Sequence, residues 1–344
     1  MEPAATTPST IKLELMKDIG RKDILMSVAR FAKSDRLLVG SSDFRLYDFD
    51  LASDKPILLA HEAAHESYVT GVAIAGSQIV TCGFDRRLIW WNAETRKPEH
   101  TIADAHQRFI RDCQASPDGK FVVSIGDDMV AKLWHGQGGE PMRELRGHEP
   151  MTPHHYPSML YACAISPDSQ HIATADKTGK IIVWRAGDGA QLVKLDCVEM
   201  YTWDPNQRRH SIGGVRSLAF SPDGKYLAVG GMGQVGNIDH LEGKARVEIF
   251  EWQSSVKTHI YSDNEFKGLV QSLAFHPSGS WLMAAGGDNT GFVMFFDLKE
   301  PKKSIRDEKA PMHIHRATLN ETGDAIYAVG HNKIVKWKVS SVPA

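Results

Sequence analysis

The sequence contains only four cysteines among its 344 residues, and none of them lies in a CxxC pair. Disulfide frameworks and structural zinc sites use cysteines at short, regular spacings, so this composition argues against both. Cys113 and Cys163 stand where sister segments carry Leu218 and Leu273, which predicts that both are core residues. We therefore expect reduced cysteines and a cytoplasmic location.

The sequence also lacks a long apolar run and a strong net charge. No stretch has the roughly 20 apolar residues that a membrane-spanning helix needs, and residues 1–10 lack the apolar segment of a secretory signal. The net charge is only −2, too small for a general attraction to nucleic acid or acidic lipid. We expect no nucleic-acid or membrane partner, and we expect residues 1–10 to be a disordered tail.

The stretch from Val215 to Gly231 has the pattern of a β-hairpin. Apolar residues alternate on both sides of a central Ser-Pro-Asp-Gly, which is tight-turn chemistry. One hairpin buries too little surface to be stable alone. Similar or weaker stretches recur roughly every 40 to 55 residues, the period of propeller repeats. They lie at residues 32–35, 75–77, 113–121, 163–172, 273–279 and 319–323. Seven such units predict an all-β propeller, with a single domain over residues 11–344.

Each repeat carries a second signature after its hairpin, consisting of a polar turn, an alternating strand and an aromatic residue. Asp85 to Trp91 is one example, and Asp176 to Trp184 is another. Together with the Ser-Pro-Asp-Gly turns, these signatures resemble the WD-repeat family. No repeat ends in Trp-Asp itself, and the family's Gly-His pair is intact only at Gly147-His148. The resemblance implies a single seven-bladed β-propeller with four antiparallel strands in each blade.

The two ends of the chain complement each other. Only residues 338–344 follow Trp337, so the last repeat lacks an outer strand. Residues 11–16 alternate apolar and charged side chains and belong to no complete repeat. Pairing this N-terminal strand into the last blade would close the ring and remove an exposed edge, as is common in the family.

The resemblance also implies buried polar networks, each joining a histidine, a serine or threonine, an aspartate and a tryptophan. The residues at these positions are His65, Thr81, Asp85 and Trp91 in the second repeat; His106, Ser124, Asp128 and Trp134 in the third; and His148 or His155 with Thr174, Asp176 and Trp184 in the fourth. A Ser-His-Asp set also suits a catalytic triad. Three sets at the repeat spacing favour a structural role instead, so we expect no catalytic residues and no enzyme activity.

Three long departures from the repeat are expected on one face, because the loops they lengthen lie at the same end of neighbouring blades. These insertions are residues 149–159, 198–213 and 231–244. Long insertions rarely gather on one face without a use, and exposed Tyr, Trp and Arg dominate protein interfaces. We therefore predict a partner-binding role for Tyr156, Tyr201, Trp203, Arg208 and Arg209.

A metal-dependent binder or enzyme at the same face is the alternative. Its candidate ligands are His154, His155, His210, Asp239 and His240. Adjacent loop histidines usually point apart, and no HxxxH or HxH spacing occurs among these residues. We therefore expect no bound metal and no cofactor.

The mouth of the central channel on this face provides a second candidate surface. The resemblance implies that residues at the start of each first strand, and those just before the turn aspartate, line this rim and often contact partners. Aligning the repeats places Ser27, Thr70, Arg111, Tyr161, Arg216, Gln271 and His315 there, together with Phe84 and Asp127. Two arginines near a tyrosine suit an acidic peptide. We predict a non-catalytic scaffold that binds a protein or peptide partner, with a monomer favoured.

Overall fold

The computed structural model describes residues 10–53, 56–59, 65–206, 208–240, 242–299 and 304–342, and the predicted disordered tail lies outside these ranges except for Thr10. Nearly all regular structure in them is β-strand. The strands, in chain order, are β1 (Thr10–Arg30), β2 (Arg36–Ser41), β3 (Leu46–Asp50), β4 (Pro56–Leu59), β5 (Val69–Ala75), β6 (Gln78–Gly83), β7 (Leu88–Asn92), β8 (Pro98–Ile102), β9 (Ile110–Ala115), β10 (Phe121–Gly126), β11 (Ala131–His135), β12 (Pro141–Leu145), β13 (Leu160–Ile165), β14 (His171–Asp176), β15 (Lys180–Arg185), β16 (Gln191–Asp196), β17 (Tyr201–Asp204), β18 (His210–Gly213), β19 (Ser217–Phe220), β20 (Tyr226–Met232), β21 (Lys244–Glu251), β22 (Val256–Lys267), β23 (Leu269–Phe275), β24 (Trp281–Gly287), β25 (Gly291–Asp297), β26 (Ser304–Ala310), β27 (Ile314–Leu319) and β28 (Ala325–Val342). One 3-10 helix spans Val198–Met200.

The strands form a β-propeller arrangement. Five antiparallel sheets have four strands each, and they comprise β5–β8, β9–β12, β13–β16, β19–β22 and β23–β26. A sixth sheet has six strands in the order β27-β28-β1-β2-β3-β4. The first strands β1, β5, β9, β13, β19, β23 and β27 contact one another in this order, and β27 contacts β1. The first strands therefore form a closed ring, and the other strands of each sheet extend outward from it.

Six propeller sheets are present where the sequence predicted seven separate blades. The difference arises at β1, which runs without a break and pairs with two neighbours. Residues 10–24 of β1 pair with β28, and residues 25–30 pair with β2. The predicted first and last blades consequently share one sheet. The N-terminal strand does pair with the C-terminal strand, with Ile11 opposite Ser341 and Leu15 opposite Trp337.

The Ser-Pro-Asp-Gly segments form the turns that the sequence indicated. In the turn between β9 and β10, the Ser116 hydroxyl donates to Asp118 Oδ1 at 2.7 Å, and the Gly119 amide donates to the Ser116 carbonyl at 2.8 Å. Gly119 has a φ of 70°, a left-handed conformation that glycine adopts without strain. Ser169 takes this position in the turn before β14 with a φ of 60°, which shows that the turn tolerates a small side chain.

The core lies between neighbouring sheets because alternate side chains of each strand point to opposite faces. Trp90 and Trp134 meet edge to face between the second and third sheets in chain order, with their ring centroids 6.3 Å apart. Cys113 belongs to the same apolar cluster and Cys163 to the next one. All four cysteines are buried and free. Within the described ranges, no helix has the length and apolar character that crossing a bilayer requires.

Candidate partner-binding face

Two of the predicted polar networks have the same geometry. His106 Nδ1 lies 3.0 Å from both Asp128 carboxylate oxygens, its Nε2 lies 2.7 Å from Ser124 Oγ, and Trp134 Nε1 donates to that hydroxyl at 2.9 Å. Because a carboxylate only accepts, His106 Nδ1 donates to Asp128. The Ser124 hydroxyl accepts from Trp134 and forms the second hydrogen bond of the histidine ring.

The second repeat repeats this arrangement with a threonine. His65 Nδ1 is 2.9 Å from Asp85 Oδ2, and its Nε2 is 2.8 Å from Thr81 Oγ1. Trp91 Nε1 donates to the same hydroxyl at 2.9 Å. Each histidine is thus held by the second strand of its own sheet and by the aspartate in the turn that follows that strand.

The fourth repeat uses His148, not His155. His148 Nδ1 lies 2.8 Å from Asp176 Oδ2, and its Nε2 lies 2.8 Å from Thr174 Oγ1, which also accepts from Trp184. Asp176 follows Thr174 by two positions, whereas Asp85 follows Thr81 by four. Asp176 therefore contacts its histidine from the end of β14. The equivalent positions in the other two sheets are occupied by Gly83 and Gly126.

Burial is the largest single influence on Asp85, Asp128 and Asp176 and raises the pKa of each carboxyl. The hydrogen bond from the histidine, its electrostatic attraction and further hydrogen bonds together outweigh burial, so that each pKa is below its usual value. All three carboxylates therefore stay ionised at neutral pH. The hydroxyl in each network is buried and already accepts from tryptophan, so the arrangement stabilises the blade and leaves no nucleophile at the surface.

The three insertions pack against one another. The His154 ring stacks on Trp203, with centroids 4.2 Å apart and planes 7° apart, and its Nδ1 lies 3.0 Å from the Tyr201 hydroxyl. Tyr156 meets His210 edge to face at 4.9 Å and donates to the carbonyl of Arg209. Strands β17 and β18 form a separate hairpin within the second insertion, where the sequence predicted only a lengthened loop.

The third insertion joins this cluster through polar contacts. Arg208 Nε donates to Asp239 Oδ2 at 2.6 Å, and the Val235 amide donates to Thr202 Oγ1 at 3.0 Å. His155 and His240 are exposed. Among the described residues, no group of three or more His, Cys, Asp or Glu side chains is arranged to hold a metal ion. The structure therefore does not bring the five candidate metal ligands together.

Six of the seven first strands carry a β-bulge near their start, at the positions where the sequence predicts the rim of the channel. At each bulge the pairing with the second strand skips one residue, whereas β19 pairs without a skip. The skipped residues are Met26, Thr70, Arg111, Tyr161, Gln271 and His315, and Arg216 immediately precedes β19. Thr70 is buried despite its bulge, and its hydroxyl donates to the Ile110 carbonyl at 2.7 Å. Ser27, which the repeat alignment placed on the rim, is also buried and lies near the Val69 carbonyl at 3.3 Å. The alignment was wrong there by one residue, because the bulge cannot be seen in the pattern.

Charged and aromatic side chains of the rim contact one another. Arg111 donates to both oxygens of Asp127, at 2.6 and 2.8 Å, and its guanidinium carbon lies 5.0 Å from the Phe84 ring centroid. The guanidinium of Arg216 lies 4.0 Å from the Tyr161 centroid. The structure therefore brings these predicted residues into one continuous arc of the rim.

A row of aromatic rings extends this arc, and only Phe84 in it was predicted from the sequence. Tyr68 lies 5.9 Å from Phe44 and 5.8 Å from Phe84, and Phe84 stacks on Phe109 at 4.9 Å. Phe44, Tyr68 and Phe109 are 40%, 41% and 49% exposed. Tyr68 and Phe109 each directly precede a first strand, so an alignment of the repeats could have identified both positions.

Three histidines occupy the rim between the last two strands. His313, His315 and His331 have ring centroids 4.8 to 4.9 Å apart. Burial, and then the neighbouring histidines, lower the pKa of His315 to about 3, so its ring is neutral at physiological pH. The predicted rim residue His315 therefore contributes a neutral polar surface, and Gln271 beside it is half-buried.

The family model described as "WD domain, G-beta repeat" matches residues 96–135, 139–185, 203–235 and 255–293. The chain is 30% identical to the human apoptotic protease-activating factor 1 over 206 residues, which cover 59% of this chain and 15% of that protein. It is 30% identical to nuclear distribution protein PAC1 of Arthroderma benhamiae over 173 residues, covering 46% of this chain and 34% of the other.

A third relative is the eukaryotic translation initiation factor 3 subunit I of Candida albicans, which is 25% identical over 203 residues, covering 57% of this chain and 50% of that protein. The matches thus span half or less of each of these three relatives. Four matched repeats and a ring of sheets with the predicted turns establish that the chain belongs to the WD-repeat β-propeller family.

Proposed function

We propose that this protein is a non-catalytic scaffold that binds a protein or peptide partner on the face formed by the channel rim and the three insertions. The observation that carries the proposal is the aromatic row Phe44-Tyr68-Phe84-Phe109. Three of its rings are exposed to solvent, and the half-buried Phe84 continues the row into the rim. Contiguous exposed apolar surface bordered by polar groups is typical of protein interaction sites.

The charged part of the rim supports the same proposal. Arg111, Tyr161 and Arg216 directly continue the aromatic row. Tyrosine and arginine are enriched among the residues that contribute most binding energy at interfaces. A partner segment with apolar and acidic side chains would match this order of rings and cations.

The insertions would act as a wall beside the rim. Tyr156, Tyr201 and Trp203 are largely engaged in packing the insertions together, so we assign them to the rigidity of this wall. Arg208 and Arg209 are exposed at its surface and remain candidates for direct contact. A rigid surface loses little conformational entropy on binding, which favours affinity.

The architecture is part of the same proposal. Tyr327 and Lys336, from the two halves of β28, both contact Asp35. The two halves of β28 therefore lie side by side, and the chain turns between them at Asn332, where φ is 61°. On this basis the six-stranded sheet comprises two blades that share β1, and residues 11–344 form one ring of seven blades. The four free, buried cysteines support a reducing, cytoplasmic environment.

The test compares two double variants in quantitative affinity capture from the native lysate. Tyr68→Ser with Phe109→Ser removes two exposed rings from the row. Val256→Ser with Ile260→Ser is the matched control, because both residues are about half exposed, at 51% and 47%, and lie on the outer strand β22. Circular dichroism verifies that both variants fold.

We expect specific partners to be retained by the wild type and the control and lost from the aromatic-row variant. If the aromatic-row variant retains every partner, or if the control loses the same partners, the proposed binding face is wrong.

A further inference from the structure

Two cationic side chains lie close together on the rim where the fourth and fifth repeats meet. Lys177 directly follows β14, and its backbone amide donates to the Met159 carbonyl at 2.9 Å. Equivalent hydrogen bonds place Phe84 and Asp127 on the rim: the Phe84 amide donates to the Tyr68 carbonyl, and the Asp127 amide donates to the Phe109 carbonyl. Lys177 is therefore the rim residue of the fourth repeat, and it is only 5% exposed.

One short piece of backbone holds both cations. Arg216 Nη1 donates to the carbonyls of Gly213 and Val215, at 2.7 Å each, while its guanidinium lies over the Tyr161 ring. A Cβ added at Gly213 would lie 2.7 Å from Lys177 Cγ, so the lysine stem packs directly on this glycine. Both side chains are thus held in place by the segment that leads into β19.

These cations have no counterion in the part of the chain that the structure describes. No described carboxylate forms an ion pair with Lys177 or Arg216, and Asp127 on the same rim is engaged by Arg111. Burial lowers the pKa of both groups, and the Arg216 charge lowers that of Lys177 further. Holding two like charges together in a poorly hydrated place is unfavourable unless an anion compensates them.

We propose that Lys177 and Arg216 form an oxyanion site that receives the carboxylate of an acidic side chain. The Lys177 ammonium has no hydrogen-bond acceptor among the described residues, and the described partners of Arg216 are two backbone carbonyls and the neutral Tyr161 side chain. A carboxylate, which accepts charge-assisted hydrogen bonds through both oxygens, would supply the missing anion. Tyr161 forms the apolar side of the site. The anion's origin in a protein partner rests on the proposed function, whereas the site itself can be tested without a partner.

The first measurement is the change in Tm with small anions at constant ionic strength, with chloride as the reference. The probes are N-acetylglutamate amide, its neutral match N-acetylglutamine amide, and inorganic phosphate. Lys177→Met keeps the aliphatic stem and removes the charge, and Lys194→Met, an exposed residue of β16, is the control. The glutamate probe should raise the Tm of the wild type and the control, with at least about tenfold weaker binding to Lys177→Met.

In chloride alone, Lys177→Met should have a higher Tm than the wild type, because it removes a buried cation without a partner. Equal stabilisation of wild type and Lys177→Met by the glutamate probe would contradict the proposal that Lys177 forms part of an anion site. Stabilisation by phosphate but not by glutamate would overturn the assignment to a carboxylate. If neither anion stabilises the wild type, the proposed anion site is wrong.

A second measurement separates this site from the proposed function. A partner identified with the wild type should be captured less by Lys177→Met than by Lys194→Met. If the partner is bound equally by both variants while anion binding is lost, the scaffold proposal stands and the partner carboxylate does not use this site. If no partner depends on the aromatic row, the anion titration still decides the site by itself.

Discussion

Arg316 on β27 and Asp112 on β9 form an ion pair across the ring, with Nη2 of the arginine 2.6 Å from Oδ2 of the aspartate. β1 and β5 separate these strands on one side of the ring, and β13, β19 and β23 separate them on the other. Each residue directly follows a rim residue, so the pair lies one position deeper than the rim. The centre of the ring is therefore occupied by charged side chains beneath the proposed binding surface.

The ion pair gives the first prediction. Arg316→Met leaves Asp112, which is 4% exposed, as a buried carboxylate without its cation, and it should lower the free energy of unfolding by about 3–5 kcal/mol. Replacing both residues, Asp112→Leu with Arg316→Met, should recover most of this loss because no buried charge remains. Denaturant unfolding of the three variants measures both effects. A double variant less stable than the single one would contradict the explanation.

The second prediction concerns the N-terminal strand. Ile11 is fully buried among the apolar residues that include Trp337, so Ile11→Ala should lower the free energy of unfolding by about 2–5 kcal/mol. Leu15 on the same strand is 53% exposed, and Leu15→Ala should change it by less than about 0.5 kcal/mol. Equal effects of the two substitutions in thermal or denaturant unfolding would argue against a structural role of this strand in the ring.

The third prediction tests a polar network. Ser124→Ala removes the hydroxyl that Trp134 donates to and that His106 accepts from. Two buried groups then lack partners, which should destabilise the fold by about 1–3 kcal/mol. Thr95→Ala, at an exposed turn position, is the control and should leave the unfolding midpoint nearly unchanged. A catalytic role of this set would instead predict normal stability together with a lost activity.

The fourth prediction is a dependence of stability on pH. Burial raises the pKa of Asp128, but the hydrogen bond from His106, the electrostatic attraction to it and two backbone amide hydrogen bonds together hold this pKa below its usual value of 3.8. Because the unfolded chain binds the proton at a higher pH than the folded one, the stabilisation by Asp128 is complete above about pH 3.8 and is lost as the pH falls through the folded pKa. The stability difference between wild type and Asp128→Asn should therefore shrink in acid. A difference that stays constant down to about pH 2 would show that ionisation of Asp128 does not contribute.

Much of the repeat architecture could be predicted because it depends on local chemistry. Alternating apolar residues specify which face of a strand is buried, and turns such as Ser116 to Gly119 set where each hairpin reverses. Two of the three networks were named without ambiguity because their residues recur at one spacing. In the fourth repeat the pattern left His148 and His155 open. The structure selects His148, since His155 lies exposed in a turn with a φ of 65°.

The candidate site was predicted less well because small shifts of register change which side chains reach the rim. The bulge at the start of β1 moves Ser27 into the interior and puts Met26 in its place. Lys177 was not predicted because Asp176, the network aspartate, stands two positions earlier in its repeat than Asp85 and Asp128 do in theirs. In the fourth repeat the rim residue therefore follows the aspartate, whereas in the other repeats it precedes it. The aromatic row was missed because Phe44, Tyr68 and Phe109 come from different loops.

Local residue order is enough to specify the all-β class, the repeat, the turns and the face on which the insertions gather, because each depends on the pattern within one repeat. The tertiary structure alone decided how the ends merge in one sheet, which insertion side chains are taken up by mutual packing, and which charges have partners. Arg316 pairs with Asp112 only because the ring closes, whereas Lys177 and Arg216 are brought together by the segment that leads into β19, without an ion-pair partner among the described residues.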